Sequence, residues 1–137
     1  RLIDELKNGP VLLTFFKISC PTCQYALPFL DRLHKQVQGS SAKTFAISQD
    51  TPAATERFNV EFHFDTPELF DSINDLYPVS NAYGITNVPT AFLIEPDGRI
   101  AHVMESWSKS DVEQIAEKLS IASPFQPGED VVVYRPG

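Results

Sequence analysis

Val11-Leu12-Leu13-Thr14-Phe15-Phe16-Lys17-Ile18-Ser19-Cys20-Pro21-Thr22-Cys23-Gln24 decides how this chain is read. Its first half, from Val11 to Lys17, is an almost unbroken apolar run, the pattern of a central strand buried on both faces. Its second half holds the only two cysteines in the chain, three positions apart, where a helical pattern begins. On the first turn of a helix that spacing brings both side chains to one face, about 5–6 Å apart. A disulfide needs α-carbons about 4.4–6.8 Å apart, so the ring closes without moving the backbone. Cys20 is expected at the N-cap, where unpaired backbone N–H groups and the helix dipole stabilise an anion. Pro21, at the first helical position, gives up an N–H that has no helical partner, leaving the amides of Thr22 and Cys23 to face the Cys20 sulfur. Cys23, one turn further in, is expected to be more buried and less acidic. The pattern implies a redox dithiol in which Cys20 attacks and Cys23 resolves the mixed disulfide.

Other uses of the pair fit less well. A structural zinc site needs a second cysteine pair or two well-spaced histidines, and His34, His63 and His102 share no ligand spacing. No metal or cofactor is therefore expected. Two inert core cysteines are disfavoured by the strand-to-helix placement.

Composition narrows the function classes. The 137 residues are 42% hydrophobic and 21% charged, which fits a single domain spanning 1–137, with a core over about 11–119 and an extended tail over 121–137. A net charge of −7 repels phosphate backbones and anionic membranes, so nucleic acid is not an expected partner. The longest apolar runs are too short to cross a bilayer. A monomer is expected. The chain opens at Arg1 rather than Met, which is compatible with an upstream signal or anchor, and the compartment is not legible.

Working outward, Arg1 to Lys7 suggests a short helix ended by Asn8-Gly9-Pro10. Thr22 to Val37 carries Tyr25, Ala26, Phe29, Leu30, Leu33 and Val37 at helical spacing, with a kink expected at Pro28. Lys43 to Ser48 reads as a second strand, followed by a helix capped by Thr51 with Pro52 at its first position. Val60, Phe62 and Phe64 alternate like a short strand, and Pro67 to Asp71 begins another piece. This region is expected to be an insertion on one sheet edge. Ser80 to Tyr83 suggests one helical turn ended by Gly84. Thr90 to Glu95 and Arg99 to Glu105 read as strands joined by Pro96-Asp97-Gly98. Ser110-Asp111-Val112-Glu113 reads as a capping box opening a helix to about Leu119, and Val131 to Tyr134 could add an edge strand. Together these elements give an α/β fold, a mixed central sheet with helices on both faces.

Three separated features now resemble the thioredoxin superfamily over about Val11 to Leu119: Cys20-Pro21-Thr22-Cys23 at the strand-to-helix junction, Pro28 eight residues after the first cysteine, and Val88-Pro89-Thr90 before a strand. The stretch Tyr83-Gly84-Ile85-Thr86-Asn87-Val88-Pro89-Thr90-Ala91-Phe92-Leu93-Ile94-Glu95-Pro96-Asp97-Gly98-Arg99-Ile100 is similar to the TlpA/ResA and AhpC/TSA (redoxin) branch, as is the long gap between Cys23 and Pro89. The resemblance implies a thioredoxin-like fold and a thiol–disulfide oxidoreductase. It also implies a cis Val88–Pro89 bond facing the dithiol, where the Val88 backbone pairs with an extended substrate, and a substrate-binding role for Pro21, Thr22, Val88 and Pro89. The partners implied are protein thiols or disulfides, or a small thiol or peroxide. The chain departs from thioredoxins in having Ser19 where a tryptophan is common and Thr14 where a buried acid is found, so the proton acceptor for Cys23 is unassigned. Lys17 reads as a solvated strand-end lysine, His102 as lying on an exposed strand face, and Trp107 and Phe16 as packing against the sheet.

Two alternatives stand beside the leading reading. Ser19-Cys20-Pro21-Thr22 also resembles the peroxiredoxin signature, although Lys17 stands where that family has a threonine. A Cu(I) module would use the two thiolates with His63 or His102.

Overall fold

In the computed structural model, which describes residues 1–137, every residue of β1 (Val11–Phe16) is buried. The strand lies in the middle of a five-stranded sheet. It pairs in parallel with β2 (Lys43–Ser48) and antiparallel with β4 (Thr90–Ile94). β3 (Glu68–Phe70) and β5 (Ile100–Glu105) form the edges, giving the order β3-β2-β1-β4-β5. Alternation along β1 sends Leu12 and Phe16 to one face and Val11, Leu13 and Phe15 to the other. The run is continuous because both faces are covered.

The larger face carries α2 (Pro21–Val37), α3 (Pro52–Phe62) and α5 (Lys109–Lys118). Its core includes Phe16, Leu27, Leu33, Met104, Trp107 and Ile115. Leu6, Val11, Leu13, Phe15, Ile47, Phe92 and Ile94 form the smaller core, with Leu2 of α1 (Leu2–Leu6) and Tyr83 packed against it. Tyr83 directly follows α4 (Pro78–Ala82). α2 continues through Pro28 without a break. Gly9 admits no side chain, since a Cβ there would collide with the Ser41 carbonyl. Gly98 (φ 89°) supplies the left-handed residue of the β4–β5 turn.

The insertion is present on the β2 edge, but its internal structure differs from expectation. Val60, Phe62 and Phe64 do not form a strand: α3 runs through Phe62 and ends at His63 in the left-handed conformation. Helical spacing explains this, because Phe58 and Phe62 lie one turn apart and stack with centroids 4.4 Å apart, while Val60 points to solvent. Thr51 caps the helix as expected, accepting from the Ala54 amide. The buried Asp31 carboxylate of α2 accepts from the amides of Asp65 and Thr66 and from the Thr66 hydroxyl, at 2.8–3.1 Å, tying the turn before β3 to the core.

At the C-terminal side, α5 is capped by Ser108, not by a box beginning at Ser110. The Ser108 hydroxyl accepts from the Asp111 amide at 3.2 Å, and the buried Trp107 beside it holds the cap where it is. The strand expected at Val131–Tyr134 is also displaced. β7 (Tyr134–Arg135) pairs antiparallel with β6 (Trp107–Ser108) in a two-stranded ribbon separate from the five-stranded sheet. Val131 is drawn into the core instead.

Candidate active site

Four segments meet beyond the C-terminal end of β1: the loop after that strand, the first turn of α2, the residues before β4, and the tail after α5. The first is shaped by the parallel pairing of Phe16 with Ser48, which sets the loops following β1 and β2 side by side. The Ile18 amide accordingly donates to Asp50 Oδ2 at 2.7 Å, and Gln24 Nε2 donates to the Ile18 carbonyl at 2.8 Å. Cys20 is the N-cap of α2 (φ −83°, ψ 117°), with Pro21 at the first helical position. Its carbonyl accepts the first helical bond, from the Gln24 amide at 3.0 Å.

The two sulfurs sit in unlike surroundings. Cys20 is partly exposed, whereas Cys23 is completely buried, and both are free thiols. Burial pushes the Cys23 thiol far above the ordinary cysteine range. A hydrogen bond from the Lys17 backbone opposes that push, while Cys20 and the Asp50 charge add to it. The expected contact between the Cys20 sulfur and the helix amides is not made: no cap hydrogen bond reaches its side chain. A protonated thiol is a donor, and the Cys20 S–H is directed at the Val88 carbonyl at 3.5 Å.

Val88–Pro89 is a cis peptide bond, and the structure thereby brings Cys20, Pro21, Thr22, Cys23, Val88 and Pro89 into one cluster. Pro21 is exposed and Pro89 buried, with Val88 between the two. Thr22 is only 4% exposed, although it stands at the start of a surface helix. Its hydroxyl donates to the Pro136 carbonyl of the tail at 2.6 Å. The Gly137 amide donates to Ser106 Oγ at 3.0 Å, and Asn87 donates to the same oxygen at 2.6 Å.

Sequence reasoning missed Asp50 and the tail. Asp50 could have been found from topology, because residues that follow two adjacent parallel strands are neighbours. The Pro136 and Gly137 contacts use backbone groups and carry no such signal. Lys17 is exposed, and Phe16 and Trp107 are buried in the core, as expected. His102 is not on an open face: its side chain is 13% exposed, and Nε2 lies 2.7 Å from Asp111 Oδ1, because the start of α5 folds over β5. His63 is the C-cap of α3, and no three His, Cys, Asp or Glu side chains converge as metal ligands. The copper alternative is not favoured.

The chain is similar to known redox proteins. Thiol-disulfide oxidoreductase ResA of Geobacillus thermodenitrificans is 28% identical over 121 residues, which cover 87% of this chain and 67% of the relative. A thiol-disulfide isomerase from Corynebacterium glutamicum has the same fold, with a TM-score of 0.73 at 20% identity, over 85% of this chain and 82% of that one. StoA from Bacillus subtilis matches with a TM-score of 0.67 at 23% identity, over 81% and 82%. No helix is long and apolar enough to cross a membrane. The AhpC/TSA family model matches residues 2–103, most of the chain, and the chain belongs to the AhpC/TSA family.

Proposed function

We propose that this thiol–disulfide oxidoreductase works through Cys20 as the attacking sulfur and Cys23 as the resolving one. The observation that carries the assignment is their unequal exposure: one thiol is partly exposed, and the other is sealed one helical turn behind it. The Cys20 thiolate attacks a substrate disulfide, forms a Cys20–substrate bond and expels one substrate sulfur as a thiolate. Cys23 then gives up its proton, attacks the Cys20 sulfur and expels the second substrate sulfur. Two electrons have passed to the substrate, and the chain holds a Cys20–Cys23 disulfide. The reverse sequence oxidises a dithiol.

Burial keeps Cys23 protonated until the mixed disulfide forms, which supports a resolving role. Asp50, whose charge acts on the Cys23 thiol, is the carboxylate proposed to take its proton. Val88 and Pro89, with Pro21 and Thr22 opposite, are proposed to receive the substrate backbone beside the sulfur. Protein thiols and disulfides are the proposed substrates. This agrees with a site on the surface: the larger clefts, of about 570 and 590 Å³, contain neither cysteine. The peroxidase alternative is not favoured, since the relatives carry thiol–disulfide names and Lys17 offers no hydroxyl near the thiol.

Trapping tests the roles. Cys23→Ser should accumulate a mixed disulfide with its partner, recoverable from non-reducing gels and released by dithiothreitol. Equal loss of activity in Cys20→Ser and Cys23→Ser, with no adduct in either, would overturn the assignment.

A further inference from the structure

The tail lies where a substrate has to go. From Val131, anchored in the core, the chain runs past α2 toward the dithiol. The Val132 amide donates to Tyr25 Oη at 2.9 Å, and the Val132 carbonyl accepts from Trp107 Nε1 at 2.6 Å. The Val133 carbonyl accepts from the Lys109 amide at 2.9 Å, after which Tyr134 and Arg135 pair with β6. Pro136 then accepts from Thr22, two residues from the attacking sulfur. Gly137 is so close to the Val88 carbonyl that a Cβ would collide with it, and this is the same oxygen that the Cys20 thiol faces. Pro136 and Gly137 thus bridge the gap between the first turn of α2, which bonds to Pro136, and the Val88–Pro89 segment, against which Gly137 packs while its amide donates to Ser106.

We propose that residues 132–137 are a strap that occupies the peptide groove of the dithiol and must lift before an extended protein substrate reaches Cys20. The proposal rests on the reading of Cys20 as the attacking thiol. The strap is held mainly by backbone hydrogen bonds and a two-residue ribbon, while Val132, Val133 and Tyr134 remain exposed, so it can detach without opening the core. A groove closed 90–99% of the time lowers the apparent affinity for a peptide by about 10- to 100-fold. A reagent small enough to reach the partly exposed sulfur from outside is not subject to that factor. The strap therefore separates macromolecular substrates from small ones by access rather than by chemistry.

Two measurements on the full chain test this. In the Cys23→Ser protein, Cys20 is capped either with a methylthio group, from methyl methanethiosulfonate, or with an extended cysteine peptide of about eight residues. The Val132 and Gly137 amides should exchange at least tenfold faster under the peptide than under the methylthio cap. Protection that persists under the peptide overturns the strap. Failure of the peptide to couple at Cys20 in this variant, with coupling at Cys23 in the Cys20→Ser protein instead, overturns the reading on which it rests, so the two failures are distinguishable. Separately, with both cysteines present, Tyr25→Phe and Val132→Pro each remove the strap's hydrogen bond to Tyr25. Each should raise the rate of reaction with a disulfide-linked peptide at least threefold, while the methyl methanethiosulfonate rate stays within twofold. Equal acceleration of both reagents, or of neither, overturns the proposal.

Discussion

The β1–α2 junction and the C-terminal tail meet at the same sulfur, but they are positioned in opposite ways. At the junction the determinants lie within a dozen residues: an apolar strand, an N-cap, a proline at the first helical position, and two thiols one turn apart. The tail instead takes its place from partners far away in sequence: Val132 on Tyr25, Glu129 on Arg32 and Pro136 on Thr22, with β6 and Trp107 nearer at hand. The chemistry is set by local rules, and access to it by long-range contacts. Changes at the junction should therefore alter reactivity, while changes in the tail alter which partners arrive.

Replacing the attacking sulfur is the largest break in this comparison. Cys20→Ser should lower disulfide exchange by about a thousandfold or more, since a serine hydroxyl supplies no thiolate at neutral pH, and no tail variant should approach that loss in a steady-state insulin-reduction assay. Trp107→Ala comes next, because the indole packs on Tyr25 and Phe29 of α2 and on Phe125 of the tail, at 5.2–6.0 Å between centroids. Loss of this fully buried side chain should cost about 3–5 kcal/mol in urea unfolding and should free the tail along with it.

Alkaline pH sharpens the contrast from the junction side. The folded-state pKa of Cys23 lies above its unfolded value, so above about pH 9 only the unfolded chain releases this proton. The reduced protein should lose about 1.4 kcal/mol per pH unit there, and a Cys23→Ala variant should lack this part of the slope. Thr22→Val, which cuts the bond joining the two regions, should cost about 1 kcal/mol and raise the exchange rate of the Gly137 amide. Acid probes the tail from the other side, with the smallest effect. Hydrogen bonds from Arg32, at 2.8 and 3.0 Å, and from the Gln126 amide hold the Glu129 carboxyl at about 2. Its contribution is complete above the ordinary carboxylate value and is lost as pH falls from about 4.5 toward 2. Proteolysis within 123–137 by pepsin should rise over that window in the native chain and be insensitive to it in Glu129→Gln.

What the sequence made legible follows the same division. The strand at Val11, the cap at Thr51, the turn at Gly98 and the spacing of Cys20 and Cys23 all depend on near neighbours, and they are found where the pattern puts them. Period errors arise where two readings compete. Phe62 and Phe64 alternate as a strand would, yet Phe58 stacks on Phe62 at helical spacing. Ser110 heads a better-looking box than Ser108, but the burial of Trp107 decides the cap. Asp50 and His102 take their roles from sheet register and from the descent of α5, and both become readable only once strand order is known. The sulfur of Cys20 faces the Val88 carbonyl because a neutral thiol seeks an acceptor, a preference the helix-end argument does not consider.

The bond from Trp107 to Val132 has a practical consequence. The chain contains a single tryptophan, buried among aromatic rings and hydrogen-bonded to the segment that crosses the dithiol. Its emission is therefore a built-in optical gauge: intensity and wavelength should follow the coming and going of that segment in real time, during turnover, without any added label.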